Sequence, residues 1–287
     1  MDAYSRILVP TDMSDFAAQA VRLAARFGSR LTLLFADEIS YPVDVLEVPI
    51  GYYLAHAPES RVQLEERLRK YAAEVLPGVP VETMVVQDSP ARAIVHTARE
   101  LNADLVVMGT HGRHGWRRAL LGSVAESVLR AIDRPLLTVT PDLAADGIRN
   151  IVCPVSFTYI AREALRHAAT LALAFDAKLH VVYVAESAQP PEPAEVESAF
   201  SLWVDPLVRD RARYRVLTQG DAAQRVLGAA NDAGADLIVL GGPSRRITQF
   251  ARCPVMTVAP HSGARSRLRP RLQMPGPLAA RNSQRKQ

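Results

Sequence analysis

The chain has 287 residues, 48% hydrophobic and 22% charged, a length that suggests two domains and a composition ordinary for a globular protein. Two cysteines with no Cys-x-x-Cys spacing exclude a disulfide framework and a zinc or dithiol motif, and they point to a reducing, cytoplasmic setting. The net charge of +4 is unevenly placed: residues 1–147 carry 15 basic and 19 acidic side chains, 148–260 carry 12 and 11, and 261–287 carry 7 and none.

In chain order, strands are predicted at 7–9, 31–36, 81–86, 105–108 and 136–139, where short runs are almost wholly apolar. Helices are predicted near 14–27, 59–76, 90–101 and 124–131, where the apolar positions recur with helical period. Buried strands alternating with amphipathic helices indicate a parallel sheet covered on both faces. Right-handed crossovers then give an open, doubly wound sheet, which binds ligands beyond the carboxyl ends of its strands. The start of the chain lacks the basic and apolar regions of a signal peptide, and no apolar run approaches the ~18 residues of a membrane span.

The pattern then repeats. Arg6-Ile-Leu-Val-Pro10 is answered by Asn150-Ile-Val-Cys-Pro154, and the helix-period segments 17–27 and 161–175 follow, leading into β-type runs at 31–36 and 179–185. Asn102-Ala-Asp-Leu-Val-Val-Met-Gly109 is matched by Gly234-Ala-Asp-Leu-Ile-Val-Leu-Gly241, and the Pro-Leu-Leu-Thr-Val run at 135–139 by Pro-Val-Met-Thr-Val at 254–258. Five correspondences in order make the chain a tandem duplication. The expected fold class is α/β, with two tandem doubly wound parallel five-stranded sheets and helices on both faces of each. The domains read as 1–141 and 148–260, followed by a basic tail at 261–287 that is expected to be disordered. The Pro/Glu-rich stretch 187–197 reads as a mobile loop.

The segment after the fourth strand carries the chemistry. Gly109 and Gly112 permit a tight turn whose amides approach a phosphate, and Gly122 and Ser123 stand at a helix N-terminus that favours an anion. Between them lie Arg113, Arg117 and Arg118 with no carboxylate. Ser123-Val-Ala-Glu126 also reads as a capping box, which would explain Ser123 by helix initiation alone. Cys153 and Cys253 read as packed small hydrophobes.

The spacing Gly, two residues, Gly, nine residues, Gly-Ser resembles the ATP-binding signature of the universal stress protein family. Gly109, Gly112, Gly122 and Ser123 fit it position by position, and Val9-Pro10-Thr11-Asp12 resembles that family's N-terminal motif. The resemblance covers residues 4–140 and, in weaker form, 148–260. It implies the adenine nucleotide alpha hydrolase-like fold, and ATP, with Mg²⁺ as a companion ion, as the cofactor. Pro10, Thr11 and Asp12 would then sit at the ribose and adenine end of the cleft, with Ala36 offering backbone groups to the adenine edge. Met108 and Gly109 would lie beneath the nucleotide, and His111, Gly112, Gly122, Ser123 and Val124 would contact phosphates. Asp12 has a competing role, capping the first helix together with Ser14, and His111 an alternative as a surface loop residue. Asp37 and Glu38 read as an Mg²⁺ aid or as solvated carboxylates.

The second copy departs at the site. Asp12 corresponds to Ser156, and 26 residues from Gly109 to Pro135 shrink to 13 from Gly241 to Pro254, removing the phosphate loop. One nucleotide site is therefore expected, in the first half.

Three functions remain open at this point: a regulatory ATP-binding protein of the stress response, a slow ATPase or phosphoryl-transfer enzyme at the same loop, and a nucleotide-free interaction scaffold. The resemblance also implies pairing of the last strands, between the two halves or across a homodimer. No membrane partner is expected. The seven tail charges, without interleaved aromatics, read as solvated rather than as a nucleic-acid site.

Overall fold

The computed structural model describes residues 3–28, 30–38, 59–110, 121–140, 147–185, 191–204, 206–217 and 220–259. The basic tail and most of the glycine loop, including His111 and Gly112, lie outside the described residues.

The first half runs β1 (Ile7–Pro10), α1 (Asp15–Ala24), β2 (Leu31–Asp37), α2 (Arg61–Val75), β3 (Val81–Gln87), α3 (Pro90–Glu100), β4 (Leu105–Gly109), α4 (Ser123–Ala131) and β5 (Leu136–Val139). The second half runs β6 (Asn150–Val155), α5 (Tyr159–Ala174), β7 (Lys178–Val184), α6 (Pro193–Phe200), β8 (Ala212–Leu217), α7 (Ala222–Asp232), β9 (Leu237–Gly241), α8 (Arg245–Phe250) and β10 (Val255–Val258).

Local chemistry explains where the helices begin. Ser14 accepts the Ala17 N–H at 3.2 Å, and Asp221 accepts that of Gln224 at 2.8 Å. Ser60 and Gln63 form a reciprocal capping box ahead of α2. The predicted loop at 187–197 needs correction, because α6 starts inside it at Pro193. Proline at the first helical position loses no hydrogen bond, Glu192 and Glu195 cap one another's backbone, and Val196, Ala199 and Phe200 bury the helix. The acidic, proline-rich composition that reads as a loop is the composition of this helix start.

Each half is a five-stranded parallel unit, and the two do not stand apart. The strand order β3-β2-β1-β4-β5-β10-β9-β6-β7-β8 is one ten-stranded sheet, parallel within each half and antiparallel where β10 meets β5. At that seam Val255, Met256 and Thr257 face Thr138, Leu137 and Leu136, and the Thr138 hydroxyl donates to the Val255 carbonyl at 3.0 Å.

The core follows the same division. One face of the sheet carries a single apolar cluster that runs through both halves, from Val9, Leu33 and Leu68 to Leu165, Val181 and Met256. The other face carries two separate clusters, one under α3 and α4 and one under α7 and α8. On the shared face Phe27 and Phe175, which close the equivalent helical segments, meet edge to face with centroids 5.0 Å apart. Beside them the Tyr4 hydroxyl lies 2.9 Å from His167 Nδ1 across the halves. Burial pushes the Tyr4 phenol well above its ordinary range, so this contact is made by a neutral hydroxyl.

Candidate functional site

In the first half β1 lies between β2 and β4, so the strand order reverses there, and the carboxyl ends of β1 and β4 mark the place where doubly wound sheets hold ligands. Pro10 ends β1, with Thr11 and Asp12 just beyond it, and Met108 and Gly109 end β4. Ala36 is the penultimate residue of β2. The fold thus brings the separated sequence candidates to one edge of the sheet.

The turn after β1 is tightly built. The Thr11 N–H donates to the Leu34 carbonyl at 2.9 Å, and the Thr11 hydroxyl oxygen accepts from the Met13 N–H at 2.9 Å. Asp12 Oδ1 accepts both the Ser14 N–H, at 3.0 Å, and the Ser14 hydroxyl, at 2.6 Å. Met13 takes a φ of 60°, which lets the chain reverse into α1. Asp12 therefore does hold the helix-capping residue, the competing role read from the sequence. Tyr71, on α2, donates its hydroxyl to the Ser14 carbonyl at 3.3 Å. Its phenol is raised, chiefly by burial, with the Thr11 hydrogen bond opposing and the Asp12 charge adding to the shift. Sequence reasoning missed Tyr71, since its place beside the apolar stripe of α2 gives no sign that it reaches the β1–α1 turn. Met13, Arg67, Lys70, Tyr71 and Glu74 line an open groove of about 320 Å³ at this point.

The start of α4 differs from the expected capping box. Gly122 is the cap and Ser123 the first helical residue, exposed, while the Glu126 N–H donates to the Gly122 carbonyl at 2.8 Å. The Gly122 N–H donates back to the Thr110 carbonyl at 2.9 Å, tying the two stems of the glycine loop together. That amide is thus used internally. With no side chain at the cap, the first free helical amides, those of Ser123 and Val124, have no capping acceptor from it. Gly122 has φ −61° and ψ 148°, a conformation open to any residue. Glycine is thus not needed there for its backbone freedom. Having no side chain, it supplies no capping acceptor to this helix end, a kind of terminus that favours anions.

The second half shows what the fold requires without the loop. Ser156 replaces Asp12, and its hydroxyl lies 3.1 Å from that of Thr158, which caps α5 by accepting the Ala161 N–H at 3.3 Å. Gly241 ends β9, and a Cβ there would lie 2.8 Å from the Ala161 N and Cα. A glycine at this position is needed by helix-on-strand packing alone. The equivalent Gly109 ends β4, on which α1 packs. A Gly241→Ala variant is expected to lose about 1–3 kcal/mol of stability through overpacking against backbone that cannot yield, as urea unfolding would show. The two arginines of this turn are both engaged, Arg246 with Asp221 at 2.6 Å and Arg245 with Glu126 at 3.5 Å.

Among the described residues no group of three His, Cys, Asp or Glu side chains is arranged to hold a metal ion, and no helix is long and apolar enough to cross a membrane. Asp37 ends β2 half-buried and Glu38 is exposed beyond it. Cys153 and Cys253 are buried, and burial pushes their thiols up, that of Cys253 to about 12, so neither supplies a thiolate nucleophile.

Doubly wound parallel units, joined seam to seam, define an α/β protein with one mostly parallel ten-stranded sheet and helices on both faces. The family model of the universal stress protein family matches the chain twice, over residues 3–140 and 147–252, and the chain belongs to that family. A universal stress protein of Methanocaldococcus jannaschii is 34% identical over 142 residues, covering 47% of this chain and 82% of that relative. One from Mycobacterium tuberculosis is 37% identical over 135 residues, and there the alignment spans 47% of this chain and 45% of the relative's length. Another, from Mycolicibacterium smegmatis, is similar along nearly the whole length, 28% identical over 88% of this chain and 97% of its own. The fold likeness extends to the crystal structure of a universal stress protein from Archaeoglobus fulgidus, with TM-score 0.68 and 17% identity over 91% of this chain and 98% of that one.

Proposed function

We propose that the protein is a regulatory ATP-binding protein of the stress response, with one nucleotide site in the first of two domains, residues 1–141, and a second domain, 148–260, that has lost its own. The observation that carries this reading is the start of α4. Gly122 offers no side-chain acceptor to the amides of Ser123 and Val124, in the helix that follows β4 beside the strand reversal at β1. These groups fit a phosphate, and His111 and Gly112 belong to the same signature. Pro10, Thr11, Asp12 and Ala36 would take the ribose and adenine, and Met108 and Gly109 would lie beneath them. Mg²⁺ would be held chiefly by the phosphates. In this reading ATP is held rather than turned over, because Asp12 Oδ1 is bound to Ser14 and so is poorly placed as a water-activating base. The domains serve as each other's partner through the β5–β10 seam, and the protein works in the cytoplasm.

Calorimetric titration of the full chain with ATP tests this. One site per chain is expected, and Asp12→Asn, which keeps an oxygen for Ser14 but removes the charge, should weaken ATP on the order of tenfold. Absence of binding heat in the unaltered protein would overturn the reading.

A further inference from the structure

The contact between Arg245 and Glu126 crosses from the second half to the first. Glu126 stands three residues after Ser123, one turn into the helix whose N-terminus carries the phosphate reading. Its Oε1 lies 3.4 Å from Arg130 Nη1 on the same helix and 3.5 Å from Arg245 Nη1, in the first turn of α8. The Glu126 side chain is only 21% exposed, so its charge is less screened than that of a surface carboxylate.

A polyphosphate on the first amides of α4 would lie about one helical turn, ~5 Å along the axis, from this carboxylate. Like charges at that distance oppose each other, more strongly as the number of phosphates grows. Arg130 answers part of the Glu126 charge from within the helix. Arg245 is the contribution of the other half.

We propose that the second domain takes part in nucleotide binding at the first domain's site, with Arg245 as a positioning residue that neutralises Glu126 and so admits the charge of a nucleoside triphosphate to the start of α4. This rests on the nucleotide reading above. It also gives a use to the glycine turn of the second half, which has lost its phosphate loop but keeps two arginines. Arg246 is held by Asp221 within its own half, while Arg245 reaches across to the phosphate helix of the other. Nucleotide occupancy in one domain is thereby coupled to the placement of α8 in the other.

The test is calorimetry on full-length Arg245→Ala, Glu126→Gln and the double variant, with ATP and AMP as probes. The Arg245 side chain is 61% exposed, so its removal leaves folding intact. Arg245→Ala should weaken ATP about fivefold to tenfold and AMP by less than about twofold, with the ATP loss shrinking at high salt. Adding Glu126→Gln should restore ATP to within about twofold of the Glu126→Gln single variant, because the opposing charge is then gone. If unaltered protein binds ATP but Arg245→Ala binds it equally well, or loses ATP and AMP to the same extent, the role of Arg245 is overturned and the nucleotide site stands. If unaltered protein binds no ATP, the nucleotide reading falls and this proposal with it.

Discussion

A Gly122→Asp variant is expected to bind ATP at least about a hundredfold more weakly while unfolding at the same temperature as the unaltered protein or a higher one. The backbone at Gly122, φ −61° and ψ 148°, suits aspartate, which is among the best helix-capping residues. Its carboxylate would accept the amides near the start of α4 that the glycine leaves uncovered, and would favour the helix dipole. The same carboxylate would occupy the anion position and repel a phosphate. Loss of two or three charge-assisted hydrogen bonds, each worth about 1.5–3 kcal/mol, accounts for a factor of that size. Stability and binding thus move in opposite directions, so a loss of binding cannot be ascribed to unfolding. Thermal unfolding and calorimetry on the same sample measure both, and undiminished ATP affinity would remove α4 from the site.

Phe27→Ala is expected to cost about 3–5 kcal/mol, as removal of a fully buried aromatic ring commonly does. Phe27 is 1% exposed and meets Phe175 in the cluster that runs through both halves. The effect should therefore not stay in the first domain. Urea unfolding is expected as one transition in the unaltered protein, displaced as a whole in the variant. Two transitions, of which only the first moves, would show that the seam at β5 and β10 does not bind the halves into one cooperative unit.

The two parallel units were legible in the sequence because near-continuous apolar strands and amphipathic helices write a local signal, and because that signal occurs twice. What joins them was legible only through the family resemblance, which implies pairing of the last strands and leaves open whether it runs between the halves or across a homodimer. β5 and β10 read as ordinary buried strands, and nothing in either run says that they face each other antiparallel, since the pairing bridges residues more than a hundred positions apart. The start of α6 was hidden by composition, the same prolines and glutamates serving equally as loop formers and as helix-start residues.

At the candidate site the sequence named the residues, and the structure adds local roles that the motifs do not carry. Asp12 is where the motif places it, yet its Oδ1 holds Ser14. Gly122 belongs to the signature, but its own amide is bound to the Thr110 carbonyl, and it caps α4 without a side-chain acceptor. Tyr71 and Arg245 lie far along the chain from the motifs they touch, on α2 and α8, and only the fold brings them there.

Mass spectrometry of the intact protein under non-denaturing conditions, with added ATP, tests the central claim most directly. The account predicts a single mass increment of one ATP per chain, absent in Gly122→Asp and unchanged in Ser156→Ala or Ser156→Gly of the second half. Two increments per chain, or one that survives Gly122→Asp and disappears with the second-half variants, would contradict it.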